Sequence, residues 1–254
     1  MDILYIVKNS AANNMELKCS LRSIEQFGKN VGKIYVCGYC PEWLSDEVVK
    51  IPCEDKYQGE ELTQNQKNAN ICYKLLYAVD HSDIGDTFMV SMDDHFYVRD
   101  TDFETYPYFV RKRKKYGRKL PKDDTSTSYM KYLSDVRNYL ESKNLPILDF
   151  ALHRNRRINR QDIEECREVL EDTINNCIPS GVMVYLSNYR YSKEKFEYQL
   201  VKDVKLSDGG QWWKTDDRET EVFSTGDFTE KDGLYVLLQG LYPNKSKYEI
   251  WLQQ

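Results

Sequence analysis

No stretch of this sequence stays apolar for long. The longest runs, Val182 to Leu186 and Leu234 to Leu238, fall far short of the roughly 20 residues that span a bilayer. Neither a basic leader nor a small-residue cleavage site precedes the apolar run Ile3 to Val7, so a soluble, cytoplasmic protein is expected. Glycine and proline are sparse, 12 and 7 of 254 residues, while 41% of the chain is hydrophobic and 13% aromatic. That composition excludes collagenous, low-complexity and disordered classes and supplies enough apolar material for a sizeable core. Neither a Gly/Ser linker nor an internal repeat breaks the chain, and a single domain over 1–254 is expected. The seven cysteines are odd in number and scattered, which argues for reduced thiols rather than a disulfide framework. Cys37 and Cys40 form the one pair at metal spacing, but no second CxxC or HxxxH offers zinc its remaining ligands.

Charge is nearly balanced in total and unbalanced in place. The formal net charge is −5, from 36 Lys+Arg against 41 Asp+Glu. Arg111 to Lys122 holds eight cations and no acid, and His153 to Arg160 holds four arginines and no acid. Without those two blocks 24 cations face 41 acids, a net of −17. Clustered Lys/Arg is the usual footprint of a polyanion partner, although a solvated loop carries such runs too.

The first hundred residues alternate between strand and helix patterns. Ile3 to Val7 reads as a strand buried on both faces. Asn14 is placed to cap a helix with Leu17, Leu21 and Ile24 on its apolar face, ended by Gly28. Lys33 to Cys37 and Val48 to Ile51 are further strands. Thr63 with Gln66 makes a capping box for a helix burying Ile71, Leu75 and Val79. Thr87 to Met92 is a strand that runs into Asp93-Asp94-His95. This β-α-β-β-α-β order predicts a mostly parallel sheet with crossover helices, an α/β Rossmann-like fold with ligands beyond the carboxyl ends of its strands. Further on, Tyr106 to Lys122 reads as a long loop or inserted element. Helices are expected around Tyr129 to Leu140, Ile163 to Ile174 and Leu234 to Leu241, and strands at Val182 to Leu186 and Leu200 to Leu206.

Asp-Asp alone says little, because Asp123-Asp124 and Asp216-Asp217 also occur. Placed directly after a buried strand, two carboxylates and an imidazole form a hard, oxygen-rich cluster suited to Mn²⁺ or Mg²⁺. A solvated strand terminus would show the same residues. Taken together, Asp2 to Lys8, Glu16 to Glu25, Lys33 to Gly38, Pro41 to Leu44, Ile51-Pro52 and Phe88 to Phe96 resemble the GT-A nucleotide-sugar glycosyltransferases of phages and bacteria. The late segments Phe223 to Phe228 and Leu241 to Glu249 are similar too, while the middle matches only in patches.

The resemblance implies a GT-A fold with a nucleotide-sugar (donor) half over 1–100 and an acceptor half over 101–254. It implies a metal site drawn from Asp93, Asp94 and His95, with Asp93-x-His95 standing where the family commonly has Asp-x-Asp. Val7, Lys8, Asn9 and Asp55 would face the nucleotide, Arg22 the diphosphate, and Asp93 the donor through the cation. His153 and Asp227 are the candidate catalytic residues, Asp227 as a general base. The stretch Ala151 to Asn155 keeps a family histidine but lacks the flanking Glu and Pro. With the basic blocks Arg111–Lys122 and Arg154–Arg160, the favoured acceptor is double-stranded DNA carrying 5-hydroxymethylpyrimidines. The alternatives are a surface glycan and a non-catalytic nucleic-acid-binding module on the same fold.

Overall fold

The computed structural model describes residues 1–10, 13–206, 221–225 and 231–250. The chain opens with β1 (Asp2–Val7), α1 (Met15–Phe27), the two-residue β2 (Gly28–Lys29), β3 (Ile34–Gly38), β4 (Val48–Pro52), α2 (Gln64–Asp80) and β5 (Thr87–Met92). These segments keep the expected order. Apart from the half-buried Asp2, β1 is buried throughout, as a central parallel strand requires. β3, β1 and β5 pair in parallel with β1 in the middle, and β4 extends the β3 side in parallel. Because the chain moves outward from β1 to β3 and β4, then returns to the other side at β5, the topological switch lies between β1 and β5. That is where the crevice of an open α/β sheet is expected.

The fifth strand of this sheet comes from far along the chain. After β6 (His95–Tyr97), β7 (Thr101–Asp102), β8 (Tyr108–Arg111) and α3 (Ser128–Ser142), β9 (Arg156–Asn159) pairs antiparallel with β5. The remaining elements are α4 (Arg160–Glu165), α5 (Arg167–Asn176), α6 (Val182–Lys193), β10 (Tyr198–Val201), β11 (Lys205–Leu206), β12 (Val222–Thr225) and α7 (Gly233–Leu241). The architecture is therefore mixed α/β with a mostly parallel central sheet. One face is packed by α2, α3, α5 and α6 through residues such as Leu75, Val136, Leu170 and Met183. The other is packed by α1 and the aromatic side chains of Trp43, Tyr97, Phe103 and Tyr106. Among the described residues no helix is long and apolar enough to cross a membrane.

Several local expectations change. Val182 to Leu186 is the start of helix α6, not a strand. Five consecutive apolar residues fit a buried helix as well as a buried strand, and tertiary bonds decide: Asn188, one turn on, bonds both the amide and the carbonyl of Leu148. Leu200 to Leu206 is divided between β10, which pairs with β8, and β11, which pairs with β12. Ile163 to Ile174 is split at Cys166 into α4 and α5. Tyr106 to Lys122 contains β8 and a tight turn in which Arg113 and Gly117 exchange main-chain hydrogen bonds. Asn14 sits at the start of α1 in the left-handed region, φ 53°, and makes no capping bond. Its side-chain amide donates to Lys8 O at 2.8 Å, fixing the loop after β1 instead. The capping box of Thr63 and Gln66 forms as expected.

Candidate functional site

The switch point opens into a cavity of about 730 Å³ lined by Val7, Lys8 and Ser10 after β1, Glu16 on α1, and Asp93 and Asp94 after β5. Gly38, at the end of β3, packs directly against Val7 of that lining. Its φ is +114°, and a Cβ there would lie 2.1 Å from Val7 O, so a side chain would close the sheet end. Val7 O also accepts from Lys74 Nζ at 2.8 Å. The same ammonium pairs with Asp55 Oδ1 at 2.7 Å, and both residues line the cavity. Asn70 holds the Asp55–Tyr57 segment in place, its side-chain amide bonding both N and O of Tyr57 at 2.8 Å.

A second cavity, of about 270 Å³, adjoins the first. Its walls include Tyr129, Tyr132, Leu152, His153, Arg156 and Met183. Lys67, Ile71, Met92 and Asp94 line both cavities. Asp94 thus stands where the two meet.

Asp93 and Asp94 form the turn between β5 and β6, and His95 opens β6, buried and opposite Ser224 of β12. Asp93 is half-buried, and burial, with the charges of Asp94 and Glu16 adding, raises its carboxyl to about 8. Burial also lowers the pKa of His95, which favours the neutral ring. His95 Nδ1 lies 3.1 Å from Asn155 Oδ1, an oxygen that also accepts from Ser91. With the Asn155 oxygen as the acceptor on that side, Nδ1 is the donor and Nε2 presents a lone pair. Nε2 is buried with no hydrogen-bond partner among the described residues, and it lies 3.6 Å from Asp94 Oδ1. That separation is too long for a hydrogen bond and suits two donors sharing one cation. Among the described residues no three His, Cys, Asp or Glu side chains converge as a metal-binding group. Two protein ligands completed by diphosphate oxygens and water is a usual arrangement for Mg²⁺-type ions, so Asp94 and His95 fit the role.

The other expected site residues separate clearly. Val7, Lys8, Asp55, Asp93 and Asp94 line the large cavity, whereas Asn9 is exposed and is not among its lining residues. Arg22 does not reach either cavity. Its guanidinium makes a bidentate pair with Glu249, at 2.7 Å twice, and donates to Tyr242 O at 2.9 Å. It is a clamp for the C-terminal segment, and the expectation of a diphosphate contact is corrected. His153 lines the second cavity. Asp227 lies outside the described residues.

The second basic block is largely engaged inside the protein. Arg154 is buried over the Phe109 ring. Arg156 donates to the carbonyls of Phe150 and Leu152, Arg157 to Glu104, and Arg160 to Val79 and Ile84. In the first block Arg111 and Arg113 pair with Asp203 and Asp149. Lys112, Lys114, Lys115, Arg118, Lys119 and Lys122 remain exposed.

Sequence reading passes over Glu16, Lys67, Lys74 and Asp203. A lysine between Tyr73 and Leu75 on the buried side of a helix is a readable signal for Lys74. Asp203 has none, because its partner His153 is 50 residues away. No protein-family profile matches the chain, and no curated protein matches it.

Proposed function

We propose that the protein is a divalent-cation-dependent glycosyltransferase of GT-A type, moving a sugar from a nucleoside diphosphate to an alcohol. One observation carries the reading: a carboxylate and an imidazole nitrogen that has no hydrogen-bond partner among the described residues, 3.6 Å apart, at the junction of a large cavity lined by charged side chains and a smaller aromatic one. The large cavity is the donor side, with Lys8 and Asp55 available to the nucleotide and Lys74 holding Asp55 in place. Asp94 and His95 are the cation's ligands, and Asp93 stands next to them in the turn. A bound Mn²⁺ or Mg²⁺ would stabilise the negative charge of the departing diphosphate. The smaller cavity is the acceptor side.

The favoured acceptor is a hydroxymethylated base in duplex DNA, supported by the six exposed cations between Lys112 and Lys122. Arg154–Arg160 is not part of that support. The test is a panel of nucleotide-sugars, UDP-glucose included, incubated with Mn²⁺ and with modified or plain DNA or a glycan extract, reading nucleotide release and sugar addition by mass spectrometry. Release that falls by about a hundredfold or more in Asp94→Ala is the expected result. Release unaffected by chelator and by Asp94→Ala would refute the cation site. Product on glycan alone would refute the DNA acceptor, and DNA retention without nucleotide release would mark a binding module.

A further inference from the structure

The aromatic cavity holds an imidazole that the donor reading leaves without a task. His153 Nδ1 lies 2.7 Å from Asp203 Oδ2, and the His153 main-chain N–H donates to both oxygens of the same carboxylate, at 3.1 and 3.3 Å. Arg111 donates to Asp203 as well. Asp203 therefore accepts at every contact, and against a carboxylate the proton of the neutral ring belongs on Nδ1. The other nitrogen, Nε2, is left with its lone pair and no hydrogen-bond partner among the described residues. Three fixed bonds to one carboxylate, itself tied to a guanidinium, set both the tautomer and the orientation of the ring.

Among the described residues lining this cavity, those with a carboxylate or an imidazole to act as a base are Asp94, His95 and His153. The first two are the cation pair. We infer that His153 is the general base for the acceptor and that Asp203 is its positioning residue, so that transfer is a single displacement with inversion at the sugar carbon. The inference rests on the glycosyltransferase reading above. In the step, the acceptor oxygen forms a bond to the anomeric carbon while the bond from that carbon to the diphosphate oxygen breaks. The electron pair of the broken bond leaves with the nucleoside diphosphate. The acceptor's hydroxyl proton passes to His153 Nε2. Tyr129, Tyr132 and Leu152 form the walls beside it.

The experiment needs no knowledge of the natural acceptor. With Mn²⁺ and a donor that the wild type consumes, transfer to water is compared with transfer to azide, an anion with no proton to remove. His153→Ala is expected to lose transfer to water by about 10²- to 10⁴-fold. Azide is expected to restore turnover in that variant and to give the glycosyl azide of inverted configuration, the β-azide from an α-linked donor. Asp203→Asn is expected to show a smaller loss with water and the same recovery with azide, a selectivity that general loosening of the fold would not produce. His153→Gln, with its melting temperature measured, serves in place of the alanine variant should that one fail to fold.

Transfer to water in the His153 variant that stays within about threefold of wild type would overturn the inference. So would a loss that azide does not relieve, or an azide product of retained configuration. Absence of donor consumption by the wild type across the whole panel is a different outcome, since it removes the glycosyltransferase reading itself and the role of His153 with it.

Discussion

Asp203→Asn should cost stability in a way that disappears in acid, and the size is set by its surroundings. Burial alone would raise the Asp203 carboxyl, but the hydrogen bonds from His153 and the Arg111 guanidinium more than offset it, holding the group at about 2 against an ordinary 3.8. At about 1.4 kcal/mol per pKa unit, that difference corresponds to about 2 kcal/mol of folding free energy. The side chain is 12% exposed, so solvent screening removes little of it. Loss of the partner also leaves Arg111 unpaired, which is the same interaction seen from the other side and not an added cost. Because the folded pKa is depressed, the contribution is complete above about pH 4 and is lost as the pH falls from there toward about 2. Urea unfolding of wild type and Asp203→Asn across the range from about pH 7 to about pH 2.5 should therefore show a gap of about 2 kcal/mol at neutral pH that narrows steadily below about pH 4. A gap that is independent of pH, or that widens in acid, would refute the reasoning.

Arg22→Ala and Glu249→Ala should each destabilise by about 3 kcal/mol, since either leaves one member of a nearly buried ion pair without its partner, and the double variant should cost less than the sum; denaturation midpoints in a double-mutant cycle check this. Lys74→Met removes a donor to Val7 O and the partner of Asp55, so a loss of about 1–3 kcal/mol in stability is expected, together with roughly tenfold weaker UDP binding by calorimetry. Alanine at Lys114, Lys115 and Lys119 together should flatten the dependence of duplex-DNA affinity on salt by a slope of about 2–3, measured by fluorescence anisotropy. Arg160→Ala should leave that slope unchanged, because its guanidinium is engaged with Val79 O and Ile84 O.

The sheet and the acidic turn were legible for the same reason. A strand buried on both faces, such as Thr87 to Met92, announces itself by composition, and the residues directly after it must emerge at the sheet's carboxyl edge. The capping box of Thr63 and Gln66 is equally local, closing over three residues. Arg22 shows the converse. On α1 alone it has the look of a free cation, and its carboxylate partner comes from 227 residues away. α6 is intermediate: its apolar run was visible, but the bonds that make it a helix against Leu148 cross 40 residues. The two ring nitrogens central to the site, on His95 and His153, owe their tautomers to Asn155 and Asp203, and no spacing rule connects those pairs.

Charge counting went astray at Arg154–Arg160 for a physical reason. It assumes that a cation without an acid nearby in sequence must seek one in solvent or on a partner. Arginine has another course, because its five N–H donors match carbonyl oxygens at helix ends and in irregular backbone. Phe150, Leu152, Glu104, Val79 and Ile84 supply five such oxygens to three arginines. Val79 and Ile84 bracket the turn that leads from α2 into β5, so Arg160 braces the strand that carries Asp93 and Asp94 to the cavity. Arg156 ties together the segment just ahead of His153. The block that suggested a surface for a polyanion is thus the internal support of the site, and of the two basic blocks it is the first, between Lys112 and Lys122, that keeps exposed cations for a partner.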